Sequence, residues 1–172
     1  YYCPCLWIDE PQPAVDIRNC EFDSTHESAL HYQVSTSVPT SPTIELNIFE
    51  DCLDGLSLAG GTPGATVTVS GNTFSASSLV CHDCSPLVSG NTFEYCSEYP
   101  IRQVDTSFPI YDSNMFQSNT KHAIAVTGTI TSDGSWPPVL GDTPALGYEA
   151  SEDVIVEDGA TLTLPAASIL KF

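Results

Sequence analysis

Five segments of this chain carry one short pattern, an alternating apolar run followed by Asn-x-Phe or a close variant. They are Val15-Asp-Ile-Arg-Asn-Cys-Glu-Phe22, Ile44-Glu-Leu-Asn-Ile-Phe49, Val67-Thr-Val-Ser-Gly-Asn-Thr-Phe74, Leu87-Val-Ser-Gly-Asn-Thr-Phe93 and Ile110-Tyr-Asp-Ser-Asn-Met-Phe116. The phenylalanines step by 27, 25, 19 and 23 residues. Asn47, Asn72, Asn91 and Asn114 share one position, where the first segment has Cys20. A further apolar stretch follows each Phe, at Ala29-Leu30, Leu56 to Leu58, Val80-Cys81, Ile101 and Ala123 to Val126. A period of this size with two or three short strands is one coil of a β-solenoid. Coils stack at about the 4.8 Å strand spacing, so equivalent residues form columns. The Phe column then becomes a stack of rings in the core. The Asn column falls at a turn, since Asn tolerates left-handed backbone and its amide can bond to the next Asn along the stack. The uneven steps place insertions such as 31–43 and 102–107 outside the regular coils.

Composition supports the same class. Ser, Thr and Val recur while Lys plus Arg total only 4. No window shows the 3.6-residue periodicity of a helix built from Ala, Leu, Glu, Lys and Arg. The expectation is an all-β chain with one domain over 1–172. It comprises an N-terminal end piece over 1–13, coils over 14–128, an excursion over 129–153 and a C-terminal coil over 154–172.

The charge excludes some functions. With 22 Asp plus Glu the chain carries −18. Four basic residues cannot form the Lys/Arg stripe that grips phosphates, so no nucleic acid is expected. Binding to an anionic membrane is excluded in the same way. No apolar run approaches the roughly 20 residues of a membrane helix, so no membrane insertion is expected. The first residue is Tyr1, and the chain reads as a processed or excised segment without a signal peptide. Seven cysteines in a Lys-poor chain suggest an oxidising setting, extracellular or at the cell surface. Their odd number leaves at least one thiol unpaired or shared between chains.

The pattern resembles the right-handed parallel β-helix superfamily, whose relatives include pectate lyases and many large secreted or surface proteins. The resemblance covers about residues 14–128. It is most specific at Ser-Gly-Asn-Thr-Phe, residues 70–74 and 89–93. Residues 154–172 look like the stretch that opens a solenoid in large bacterial surface proteins. The resemblance implies a right-handed solenoid of about five coils. Its lyase members use clustered Asp for Ca²⁺ and a basic residue to take a proton. Arg18, Arg102, Lys121 and Lys171 are the basic residues present, and none sits in such a motif. Its polygalacturonate hydrolases carry Asn-Thr-Asp and an Asp-Asp pair, whereas Asn72-Thr73 and Asn91-Thr92 are followed by Phe. No catalytic residue is assigned.

The ends of a solenoid behave as sheet edges and are normally capped by polar residues. Here both are apolar: Tyr1, Tyr2, Leu6, Trp7 and Ile8 at one end, and Leu162, Leu164, Ile169, Leu170 and Phe172 at the other. Two readings stay open, a fragment of a longer solenoid and a subunit whose copies stack head-to-tail into a fibre. The leading expectation is a structural filament or surface-fibre protein with copies of itself as partners. The alternative is a polysaccharide-binding or polysaccharide-cleaving module, with a flank groove lined by Tyr95, Tyr99, Trp136 or Tyr148 and acidic residues.

Three smaller sites complete the reading. Asp23 and Glu50 each follow a column Phe, lie one layer apart, and are candidate ligands for a shared Ca²⁺; no other cofactor is expected. Cys81-His-Asp-Cys84 is either a local disulfide or a pair of buried thiols, because a structural zinc needs four ligands. Cys3 and Cys5 are candidates for a covalent link between chains. Cys52 and Cys96 share a column two layers apart, about 9.6 Å, which is beyond disulfide reach.

Overall fold

The computed structural model describes residues 6–9, 15–23, 28–34, 41–61, 66–139, 146–166 and 168–172. Among them the regular elements are strands, and every strand pair is parallel. No helix is long and apolar enough to cross a membrane.

Three sheets wrap one core. The first has eight strands: β1 (Leu6–Ile8), β4 (Ser28–Gln33), β7 (Asp54–Ala59), β10 (Leu79–His82), β13 (Ile101–Val104), β16 (Ala123–Ile130), β18 (Gly147–Val156) and β20 (Leu170–Lys171), in that order. The second has β2 (Ile17–Arg18), β5 (Thr43–Glu45), β8 (Thr68–Ser70), β11 (Leu87–Ser89) and β14 (Ile110–Asp112). The third has β3 (Glu21–Asp23), β6 (Ile48–Glu50), β9 (Thr73–Ser75), β12 (Thr92–Glu94) and β15 (Met115–Gln117). Each coil visits the second sheet, then the third, then the first. A small pair, β17 (Gly134–Ser135) with β19 (Leu162–Thr163), lies in the C-terminal part.

Register turns the repeat into columns. Phe22, Phe49, Phe74, Phe93 and Phe116 are cross-strand partners. Their rings stack at 5.0, 4.8, 4.7 and 5.1 Å between centroids, within 14° of parallel. The strand spacing thus doubles as a stacking distance. Leu30, Leu56, Leu79, Ile101, Ile124 and Tyr148 form the facing column of the first sheet. Ile17, Ile44, Val69, Val88 and Tyr111 form that of the second.

The Asn column is a hydrogen-bond ladder. Asn47, Asn72, Asn91 and Asn114 are buried. Each of the last three accepts at Oδ1 both the backbone N–H and the Nδ2 of the Asn one coil earlier, at 2.9–3.0 Å. Each Nδ2 also donates to a carbonyl of the preceding coil, at Ile17, Ile44, Val69 and Val88. The left-handed residue at this corner is not the Asn but the one before it: Asn19, Leu46, Gly71, Gly90 and Ser113, with φ of 54–63°. The side chain that bonds inward must leave the turn on normal backbone, so the strain falls on its neighbour.

The expected insertions are shorter than the sequence suggested. His31–Gln33 belongs to β4 and Arg102–Val104 to β13, and both pair in register. The expected excursion over 129–153 narrows in the same way, since β16 runs to Ile130 and β18 starts at Gly147.

Candidate functional site

The outer face of the first sheet differs from the other two. Outward residues of the second and third sheets are half-buried or exposed, whereas Ser57, Val80 and Ala125 are buried. Register aligns Trp7, His31, Ser57, Val80, Arg102, Ala125, Glu149 and Lys171 into one outer row. Long polar side chains lie across this row. Arg102 on β13 reaches over β10 to pair with Asp54 on β7. Tyr99 donates to Glu149 at 2.6 Å. Lys121 stands 3.8 Å from the same carboxylate and 5.3 Å above the Tyr99 ring. At the other end the Trp7 and His31 rings stack at 3.9 Å, and His31 Nδ1 meets Ser57 Oγ at 3.2 Å.

A hollow of about 840 Å³ opens at the corner between the third and first sheets. Local sequence explains it. After four of the five third-sheet strands, β6, β9, β12 and β15, one residue turns left-handed: Asp51, Ala76, Tyr95 and Ser118. The residue that follows is small in three successive coils, Cys52, Ser77 and Cys96, and these buried groups form a recessed floor. Connections between the sheets then differ in length. Residues 51–53 and 76–78 are short, while 95–100 is longer and carries Glu98 and Tyr99 along one side. Leu53, 67% exposed, stands on the other side.

The electrostatics follow from these contacts. Asp54 is the best-anchored acid of the hollow, paired with Arg102 and accepting from Ser78 Oγ at 3.1 Å. The Glu149 carboxylate accepts the Tyr99 proton and pushes that phenol up to about 12. Burial raises the Cys96 thiol to about 11 while its Sγ donates to the Ser77 carbonyl at 3.0 Å. Burial lowers His31, with His82 adding to the effect and Asp9 opposing it. Chemically the hollow offers carboxylate acceptors, one guanidinium donor and a phenol ring with an apolar face.

The sites read from sequence fare differently. Asp23 and Glu50 are cross-strand neighbours on the outer face of the third sheet, with Ser75 next in the row. No group of three or more His, Cys, Asp or Glu gathers among the described residues. Leu6 and Trp7 are exposed on β1, and Ile8 packs on the core. Leu162 and Leu170 also pack on the core, while Leu164, Ile169 and Phe172 are exposed. Tyr1, Tyr2, Cys3 and Cys5 lie outside the described residues. Cys20, Cys52, Cys81, Cys84 and Cys96 are free thiols, of which only Cys20 is exposed.

Two expected groove residues need correction. Tyr95 is exposed and Tyr99 borders the hollow, but Trp136 and Tyr148 are core residues. They stack on each other at 5.4 Å. Each satisfies its polar handle internally, Trp136 Nε1 on the Ser107 carbonyl and Tyr148 Oη on that of Pro137. They fill the interior where the Phe column has ended. Sequence reasoning missed the Arg102–Asp54 pair and the Trp7–His31–Ser57 set. The signal was register: aligning Leu6 with Leu30 and Leu56 puts Trp7, His31 and Ser57 in one row.

With this geometry in hand, comparison with known families is decisive for the fold. A family model described as "right handed beta helix region" matches residues 7–132. The chain belongs to the right-handed β-helix family. The match takes in the first five coils of this β-helix, including the whole Asn ladder and Phe stack. Neither curated proteins nor solved structures give a match.

Proposed function

We propose that this β-helix binds a neutral, hydroxyl-rich polysaccharide segment in the hollow between its third and first sheets. The hollow itself supports this reading: an open trough whose borders carry Tyr99, Arg102, Asp54 and Glu98. Sugar hydroxyls both donate and accept, so they suit a site that mixes carboxylates with a guanidinium. A tyrosine ring gives the apolar face of a sugar something to stack on. The acids outnumber the cations here, which disfavours a uronate or sulfated chain. Solution binding to a panel of neutral oligosaccharides, by calorimetry, tests the proposal. Tyr99→Ala and Glu98→Ala should each weaken binding by about tenfold, the effect of losing one well-placed contact at about 1.4 kcal/mol. Binding that both variants leave intact, or no binding by any glycan of the panel to the folded protein, overturns it.

A separate observation favours a second reading. The eight-stranded sheet ends on β1 and β20, each paired on one side only among the described residues. Leu6, Trp7, Leu164 and Ile169 are exposed near these ends. Copies stacking end to end would continue the backbone ladder and cover this apolar surface. It ranks second because any slice of a solenoid presents such edges. Electron microscopy tests it: fibres with one chain per axial repeat support stacking, and discrete short rods refute it. On either reading the protein works outside the cell or on its surface.

A further inference from the structure

Three aspartates in this chain stand directly before a glycine: Asp54, Asp133 and Asp158. In such a pair the glycine nitrogen can attack the aspartate side chain, because no Cβ crowds the nitrogen and the glycine backbone turns freely. The fold ties down two of the three pairs. Gly55 is buried and gives its N–H to the Ser78 carbonyl at 2.8 Å. The Asp54 carboxylate beside it is held by Arg102 and by Ser78 Oγ. Gly134 gives its N–H to the Thr161 carbonyl at 3.0 Å and lies against the Phe108 ring. The Asp133 carboxylate receives the Thr161 N–H at 2.8 Å. Asp158-Gly159 differs on every count. Both residues are exposed. They form the tip of a turn over 157–160, closed by the Ala160 N–H on the Glu157 carbonyl at 3.1 Å. Gly159 has a φ of 91°, and nothing stands within 4 Å of where a Cβ would be. Among the described residues no acceptor meets the Gly159 N–H and no donor holds the Asp158 carboxylate.

We propose that Asp158-Gly159 is a site of spontaneous isoaspartate formation, and that of the three Asp-Gly pairs it alone reacts in the folded protein. In the first step the Gly159 nitrogen attacks Cγ of the protonated Asp158 carboxyl. An N–Cγ bond forms, and the carboxyl hydroxyl leaves as water with the amide proton. The product is a five-membered cyclic imide. In the second step water adds to one of the two imide carbonyl carbons, and the C–N bond there breaks. Opening at Cγ restores aspartate. Opening at the backbone carbonyl carbon leaves the chain running through Cβ and Cγ, with the former backbone carbonyl as a free carboxylate. One water is lost and one regained, and nothing is oxidised or reduced. The site is selected by geometry rather than by sequence. The attacking nitrogen must give up any acceptor and the pair must rotate. Gly55 and Gly134 would first have to release carbonyls of neighbouring coils, whereas Gly159 has none to release. The isoaspartyl form lengthens the turn by one backbone atom, just before β19 (Leu162–Thr163).

The test ages the folded chain in neutral buffer made with heavy-oxygen water, then cuts it with chymotrypsin in ordinary water. Each passage through the imide carries one solvent oxygen into the aspartate. The peptides holding residues 54, 133 and 158 are weighed separately, and isoaspartate is read as methyl acceptance from an isoaspartyl methyltransferase. The Asp158 peptide should gain heavy oxygen and accept methyl groups. The Asp54 and Asp133 peptides should show about tenfold less label, the cost of first opening a net hydrogen bond. Ageing in guanidinium chloride should remove that difference and bring the three pairs to similar levels. Asp158→Glu, whose ring would need six members, should lose the signal at its own peptide and leave the other two unchanged. A folded wild-type chain whose Asp158 peptide takes up neither oxygen nor methyl groups, or label at Asp54 or Asp133 equal to that at Asp158, overturns the proposal. The wild-type comparison stands alone if the variant fails to fold.

Discussion

Asn91→Leu removes the middle of the Asn ladder while keeping nearly the same side-chain shape. Asn91 Oδ1 now accepts the Asn72 backbone N–H and Asn72 Nδ2, both at 2.9 Å. The substitution orphans both donors inside the core. The Asn72 N–H has a single proton and nowhere else to send it. Asn72 Nδ2 keeps its other bond, to the Ile44 carbonyl. Asn114 Oδ1 still receives the residue-91 N–H, and the Val69 carbonyl loses one donor. Two buried unsatisfied donors at about 1–3 kcal/mol each give a loss of about 2–6 kcal/mol. The hydrophobic gain from the leucine is small, because Asn91 is already enclosed.

The control is Asn47→Leu at the end of the ladder. Among the described residues Asn47 Oδ1 serves only the Cys20 N–H, and Cys20 is exposed, so water can take over that bond. This variant should lose about 1 kcal/mol. Urea unfolding followed by circular dichroism separates the two. With a slope of about 1–3 kcal/mol per M, a loss near 3 kcal/mol lowers the Asn91→Leu midpoint by about 1–3 M. Equal losses in both variants, or a loss under about 1 kcal/mol for Asn91→Leu, would refute the idea that satisfied amides hold the coils in register.

Three further outcomes follow from the same geometry. Cys20→Asn should extend the ladder by one Nδ2 bond to Asn47 Oδ1 and raise stability by about 0.5–1 kcal/mol, read as a higher urea midpoint; a lower midpoint counts against it. Gly55→Ala should cost about 1–3 kcal/mol by overpacking, because a Cβ there would stand 2.5 Å from Ser77 Oγ and 2.7 Å from Phe49 Cβ, and an unchanged thermal midpoint would contradict this. Ultraviolet titration should show one tyrosine ionising near 12, moved down in Glu149→Gln. The folded phenol is raised above its ordinary value of about 10, so its contribution to stability is complete below pH 10 and is lost as pH climbs towards 12. A titration curve unchanged in the variant removes Glu149 as the cause.

What the sequence revealed and what it concealed have one physical origin. Inward positions are constrained by the coil above and the coil below, so they repeat. Phe22 to Phe116 and Asn47 to Asn114 could therefore be read directly, and with them the stacked coils and the shared column of Cys52 and Cys96. Corner strain was misplaced by one residue, because Asn suits both a left-handed turn and an inward amide, and only the ladder geometry chooses between them. Trp136 and Tyr148 were misread because aromatics outside the repeat look like surface residues. The core there had lost its Phe column and needed other rings to fill it.

Outward positions need no stacking partner of the same kind, so beyond short rows such as Ser70–Ser89 and Thr73–Thr92 their sequence carries little period to read. The candidate site is made of such positions. Arg102 and Asp54 are 48 residues apart, and nothing in either local segment announces the other. They meet because 54–59, 79–82 and 101–104 are successive strands of one sheet, so a residue two coils away is only about 9.6 Å off, within the span of an arginine and an aspartate together. The same arithmetic brings Glu149 to Tyr99 across 50 residues. In a solenoid the strict repeat builds the ruler, and function is written in side chains long enough to cross its divisions. The outer faces of the other two sheets carry contacts between neighbouring coils, Arg18 with Glu45 at 2.9 Å and Gln117 with Glu94 at 2.7 Å, whereas the Arg102–Asp54 and Tyr99–Glu149 contacts of the first sheet span two coils. That difference in span is why the first sheet, rather than either of the others, is the face on which binding should be sought.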